Sequence, residues 1–184
     1  VDYKDPESGS LFSSLIIPIG ITVVEIVLFI LIYPLYCSYY HLDISQYEIM
    51  SDKIQEDVHI VVISDLHDMH CKIKNQIIQK IKELSPDMIL CVGDMIDDTS
   101  KDDTSILSFY QSLSSIAPVY ISSGNHEMTY EEDHSPIDYQ KANVKLLENK
   151  SEIIELKGNI IELGGMYDYA FDTYYGTIEK EKID

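Results

Sequence analysis

Arginine is absent from these 184 residues. All 13 basic side chains are lysine, against 32 carboxylates, for a net charge of −19. A chain this acidic repels a phosphate backbone, which removes nucleic acid from the expected partners. Without a guanidinium fork, a bound phosphate has to be gripped by metal ions, imidazoles and backbone N–H groups. Ile, Lys and Tyr are plentiful, so a coding bias accounts for the missing arginine. Cysteine is scarce too. Cys37, Cys71 and Cys91 make an odd set without metal-binding spacing. Cys91 reads as a small core residue. Cys37, just past an apolar run, is a candidate for acylation, with an inert role as the simpler reading. There is no internal repeat and no low-complexity tract. The chain starts with Val rather than Met, which points to a processed or partial sequence.

What is present begins with a long apolar run. Leu15 to Tyr36 is 22 residues, 15 of them Leu, Ile, Val or Phe. That length crosses a hydrocarbon core of about 30 Å. The aliphatic and Phe side chains favour insertion by roughly 5–9 kcal/mol, and Glu25 offsets about 3 kcal/mol of it. Tyr33, Tyr36, Tyr39 and Tyr40 cluster at the far end, as in an interfacial aromatic belt. The run is too long for a cleaved leader, its flank carries only Lys4, and no A-x-A site follows. The expectation is a single-pass membrane protein, with residues 1–14 as a flank, 15–36 as a transmembrane helix and 37–57 as a polar linker. Neither flank has a lysine excess, and a domain on the extracytoplasmic side is the default expectation.

From residue 58 the pattern alternates strand and helix. β-Branched runs at His59–Ser64, Met88–Gly93 and Val119–Gly124 read as strands. Lys72–Leu84 places Ile73, Ile77, Ile78, Ile81 and Leu84 on one helical face and stops before Pro86. Thr104–Ile116 repeats the theme, closed by Pro118, and Pro136–Glu148 is expected to be a third helix. Ser151–Leu156 and Asn159–Leu163 flank Lys157-Gly158 as a hairpin. The fold class is therefore α/β, with βαβ units and a sheet covered by helices.

Each of the three strands ends in polar residues with metal-binding chemistry. Asp65-Leu66-His67 follows the first, Gly93-Asp94-Met95-Ile96-Asp97 the second and Gly124-Asn125-His126-Glu127 the third. Asp94 lies 29 positions after Asp65, and Asn125 lies 31 after Asp94. That is about one strand–helix–strand unit, so the motifs meet at the carboxyl ends of neighbouring strands, where open α/β sheets carry their chemistry. Asp, His and Asn are ligands for divalent metals.

This pattern resembles the calcineurin-like metallophosphoesterases, whose motifs run D-x-H, G-D-x-x-D and G-N-H-[DE]. The apolar anchor and Leu146-Leu147-Glu148-Asn149 are similar to a membrane-anchored subgroup. The resemblance implies the first half of that catalytic domain over 58–184. It implies two divalent cations (Mn, Fe or Zn), with Asp65 and His67 on the first, Asp94 on both and Asn125 on the second. His126 would stabilise or protonate the leaving group. Asp97 and Glu127 would orient the ligands. The implied substrate is a phosphomonoester, a phosphodiester or a lipid-linked pyrophosphate or other phosphorylated lipid. The family pattern closes with a lone His and G-H-x-H, whereas the last histidine here is His134. These residues alone are therefore expected to be inactive. A non-catalytic membrane-tethered α/β module with a residual metal site is the alternative. His70 and Asp168 are minor site candidates. Asp98, Asp102 and Asp103 are expected to form a solvated loop, His59 to be structural and His134 to face solvent.

Overall fold

Three apolar strands and the helices between them set the architecture, and the turns that follow the strands set where chemistry can gather. The computed structural model describes residues 7–40, 42–68 and 71–166. The chain divides into two compact units at Ser45. The first contains helix α1, Glu7–Tyr40, longer at both ends than the span read from the sequence. Its segment Ile16–Cys37 has a mean hydropathy of 2.6 and is long and apolar enough to cross a membrane. Pro18 and Pro34 lie inside it, each removing a backbone donor. The Thr22 hydroxyl donates to the Pro18 carbonyl at 3.0 Å.

In the second unit, the elements are β1 (Ile60–Ile63), α2 (Cys71–Leu84), β2 (Met88–Val92), α3 (Thr104–Ser114) and β3 (Val119–Ser122). They are followed by α4 (Asn125–Asp133), a 3-10 turn (Tyr139–Ala142), β4 (Lys145–Leu146), β5 (Lys150–Leu156) and β6 (Asn159–Gly165). β1 to β4 form a parallel sheet in that spatial order. Ile63, Cys91, Ile121 and Leu146 share one rung of it, so their side chains point to one face. There Ile89, Cys91, Val119 and Ile121 are buried, together with Ile73, Ile77 and Ile81 of α2 and Ile106, Phe109, Tyr110 and Leu113 of α3. Each such aliphatic side chain contributes about 1.5–3 kcal/mol by leaving water, which is what fixes the helices on the sheet. Burial pushes the Cys91 thiol up to about 12, with the Glu127 carboxylate adding to the shift, so this cysteine is an inert core group.

The β5–β6 hairpin is antiparallel, with Ile154 opposite Ile161. Its two-residue turn places Lys157 and Gly158 at φ 49° and 74°, as a type I′ turn requires. Three polar contacts fasten it to the parallel sheet. The Ser122 hydroxyl donates to the Met166 carbonyl at 2.6 Å, Lys145 pairs with Glu152, and Lys157 Nζ lies 2.8 Å from Asp87 Oδ2.

Some sequence expectations fail. The helix expected over Pro136–Glu148 is a 3-10 turn followed by strand β4. Asn143 takes a left-handed φ of 55° and stops the turn, after which Lys145 and Leu146 pair with Tyr120 and Ile121. The open edge of β3 thus outweighs a weak helical period. Helix α4 was not expected, because Asn125–Asp133 is polar and buries only Glu127 and Tyr130. Its signal is at its start, where Glu127, three residues into the turn, accepts the Gly124 N–H at 2.8 Å. His134 also departs from expectation. It stacks on Tyr130 with ring centroids 4.2 Å apart, and its Nδ1 lies 3.0 Å from the Tyr130 carbonyl.

Candidate metal centre

The turns after β1 and β2 are stitched to one another by their backbones. The N–H groups of Asp65, His67 and Asp68 donate to the carbonyls of Gly93 (3.2 Å), Asp94 (2.9 Å) and Met95 (3.0 Å). These bonds continue the β1–β2 ladder past the end of the sheet. They also hold a run of unfavourable dihedrals, since Asp65, His67, Asp68 and Asp94 all have φ between 45° and 55°. Non-glycine residues sit there only when their surroundings enforce it, and such strain gathers at functional sites. The glycines of the motifs serve close approach. Gly93 has φ 87°, and a Cβ there would lie 3.1 Å from Gly124 Cα. A Cβ on Gly124 would lie 2.3 Å from Asp94 Oδ1. Only two bare backbones let these turns touch.

Glu127 locks the turns from beneath. Its carboxylate is 1 % exposed. Oε2 accepts the N–H groups of Asp94 (2.9 Å) and Gly124 (2.8 Å), and Oε1 accepts those of Met95 (2.7 Å) and Ile96 (3.3 Å). The backbone N–H of His126 donates to Asp94 Oδ1 at 3.1 Å, which aims that carboxylate.

The side chains above this frame converge. Ring nitrogens of His67 and His126 and a carboxylate oxygen of Asp94 lie within 4.8 Å of one another. The two imidazoles meet edge to face, 4.4 Å between centroids at 82°. Asp65 approaches through His67, with Oδ1 4.0 Å from Nε2. Its other oxygen, Oδ2, accepts the Ser64 hydroxyl at 2.6 Å. Asn125 opens α4 as an exposed residue between Gly124 and His126, both of which pack on Asp94. A second set on the far side of His126 joins it to Asp97 and Asp98, again within 4.8 Å. The Asp98 N–H donates to His126 Nδ1 at 3.4 Å.

The profile of the calcineurin-like phosphoesterases matches residues 58–182. The chain belongs to that family. It is 27% identical over 133 residues to an uncharacterized metallophosphoesterase of Campylobacter jejuni, covering 70% of this chain and 34% of that protein. It is 26% identical over 129 residues to an uncharacterized metallophosphoesterase of Helicobacter pylori strain 26695, covering 68% of this chain and 34% of that protein. The chain thus spans about a third of the length of the curated relatives it matches.

His67 and Asp94, with Asp65 and Asn125 beside them, offer imidazole, carboxylate and amide-oxygen donors that suit divalent cations, so the donor set fits the family. Of the residues singled out in the sequence, His67, Asp94 and His126 are brought together, and Asp65 and Asn125 flank them. Asp97 lies beside His126 in the second set and also bonds within its own loop. It accepts the Thr99 hydroxyl and N–H, which hold its carboxyl below the usual range. Asp98, expected in a solvated loop, touches His126 instead. His70 and Asp168 lie outside the described residues. A groove of about 1000 Å³ lies elsewhere, at the amino ends of β3 and β4 beside Val119, Tyr120 and Lys145.

Sequence reasoning missed Asp68 and Lys74. Asp68 follows the first motif directly. Lys74 is a charged residue beside Ile73 on the apolar side of α2, and that oddity was the available signal.

Proposed function

We propose that this chain is part of a membrane-anchored phosphoesterase that uses two divalent cations, Mn, Fe or Zn, to hydrolyse a phosphomonoester, a phosphodiester or a lipid-linked pyrophosphate. The observation that carries the reading is the convergence of His67, Asp94 and His126 at the carboxyl ends of three parallel strands in a chain of this family. Asp65 and His67 would hold one cation, Asp94 both, and Asn125 the other. Bound there, the cations would supply Lewis acidity and neutralise phosphate charge in a chain that has no arginine. Glu127 keeps the Asp94 turn rigid, so that carboxylate needs no rearrangement to receive a ligand. His126 Nδ1 accepts the Asp98 N–H, so the neutral ring carries its proton on Nε2. From there it would donate to the leaving oxygen. The helix segment Ile16–Cys37 supports an anchor, and an anchor favours a lipid-phosphate substrate.

Asp65, His67, Asp94 and Asn125 give the second cation only two side chains. We therefore expect the 184 residues alone to bind metal without useful turnover, and the whole protein to turn over. The test is hydrolysis of p-nitrophenyl phosphate and its bis-ester with Mn²⁺. Metal-dependent turnover by the whole protein should vanish in Asp94→Asn. In His126→Ala it should fall about 10²–10⁴-fold with metal binding kept. A whole protein inert on a broad ester panel would favour a tethered metal-binding module. Retention in the membrane fraction after alkaline carbonate is expected. Release into the soluble fraction would remove the anchor.

A further inference from the structure

Lys74 is 5 % exposed, on a helix face otherwise given to Ile73, Ile77 and Ile81. A lysine in such a place is costly unless its charge is matched, and an apolar side chain of similar volume would pack there without that cost. Its ammonium pairs with the Asp68 carboxylate and donates to Ser105 Oγ at 2.6 Å. The second oxygen of Asp68 accepts the Ser100 hydroxyl at 3.2 Å. The Asp68 N–H donates to the Met95 carbonyl at 3.0 Å. One carboxylate therefore ties together α2, the turn after β2 and, through Lys74, the start of α3. It does so immediately after His67, where His67 and Asp68 hold consecutive left-handed dihedrals of 45° and 47°. Asp and His visit that region more readily than most residues, but two in succession without glycine still cost energy. The external contacts on Asp68 are what hold it.

We propose that Lys74, acting through Asp68, is a positioning residue that fixes the His67 imidazole opposite His126. The proposal rests on the metal-dependent reading for its consequence, but the positioning itself is a property of the fold. Lys74 touches neither His67 nor Asp94 in the contacts described, so its effect is indirect. It fastens the turn after β1 to the turn after β2, which between them carry Asp65, His67 and Asp94.

The experiment is amide hydrogen exchange by NMR on the full chain in detergent, with Lys74→Met and the neutral pair Asp68→Asn/Lys74→Met. In each folded variant the His67 and Asp68 amides, which donate to Asp94 and Met95, should exchange at least about tenfold faster. The Ile89 and Leu147 amides, which donate to Pro118 and Ile121 elsewhere in the sheet, should keep wild-type protection. A merely structural lysine would instead raise exchange at all of these amides together. Mn²⁺ affinity should fall about tenfold in both variants, as for other groups that orient metal ligands. The neutral pair should regain thermal stability lost in Lys74→Met without regaining that affinity, and it keeps the test decisive if the single variant does not fold. Wild-type protection at His67 and Asp68, a uniform rise across all four amides, or affinity that returns with stability would each overturn the proposal. Absence of Mn²⁺ binding by the wild type would count against the phosphoesterase reading, while the exchange pattern would still decide the positioning claim.

Discussion

Replacing Glu127 with Gln tests the frame beneath the site. The two side chains are nearly the same size, so packing is preserved. Hydrogen bonding is not. The carboxylate serves four backbone N–H donors, two on each oxygen. An amide has one oxygen and one NH₂, so either placement strands a pair of donors. If the NH₂ replaces Oε2, the N–H groups of Asp94 and Gly124 lose their acceptor. If it replaces Oε1, those of Met95 and Ile96 do. An unsatisfied buried donor costs about 1–3 kcal/mol, so the pair costs about 2–6 kcal/mol. That is a large share of the roughly 5–15 kcal/mol that holds a typical domain folded. The assay is urea unfolding of the detergent-solubilised chain followed by tyrosine fluorescence. An Asp97→Asn variant, whose exposed-loop carboxylate accepts the Thr99 hydroxyl and N–H beside Asp98 and His126, is the comparison. The midpoint should drop sharply for Glu127→Gln with an unchanged slope, and change little for Asp97→Asn. A loss below about 1 kcal/mol for Glu127→Gln would refute the four-donor account.

Gly124→Ala should damage both stability and metal binding, because the added methyl would sit 2.3 Å from Asp94 Oδ1 and 2.7 Å from its N. Thermal unfolding and Mn²⁺ titration check it, and a variant with wild-type values would show that the turns can part at no cost. Asp87 gives a pH prediction. The His59 N–H and the Lys157 ammonium hold its carboxyl below the usual range. A depressed carboxyl stabilises the fold above its unfolded pKa of about 3.9, and that stability is lost as pH falls through the lower folded value. Asp87→Asn should therefore flatten the stability curve below about pH 4 and leave its slope near neutrality unchanged. An acid limb identical to wild type would contradict the assignment.

The sequence was most legible where apolar period and polar motif coincide. Ile89, Cys91, Val119 and Ile121 occupy the expected strands, and each motif follows its strand, the third as the start of α4. The type I′ turn at Lys157-Gly158 was readable because glycine at the second position permits positive φ. Three features were hidden. The pairing of Lys145 and Leu146 with β3 depends on an edge that exists only after the sheet forms. Helix α4 carries no apolar stripe and depends on Glu127 reaching back to Gly124. The Lys74–Asp68 pair is six residues apart in sequence, a spacing with no local rule, and is made only when the turn before α2 bends left-handed.

The central claim is that the ends of β1, β2 and β3 together form a divalent-metal site. It is tested most directly by titrating Mn²⁺ calorimetrically into the wild-type chain and into Asp94→Asn. That substitution keeps the size of the side chain while removing the charge that faces His67 and His126. The account predicts saturable binding by the wild type and at least about a tenfold loss of affinity in the variant. Identical isotherms for the two proteins would contradict it.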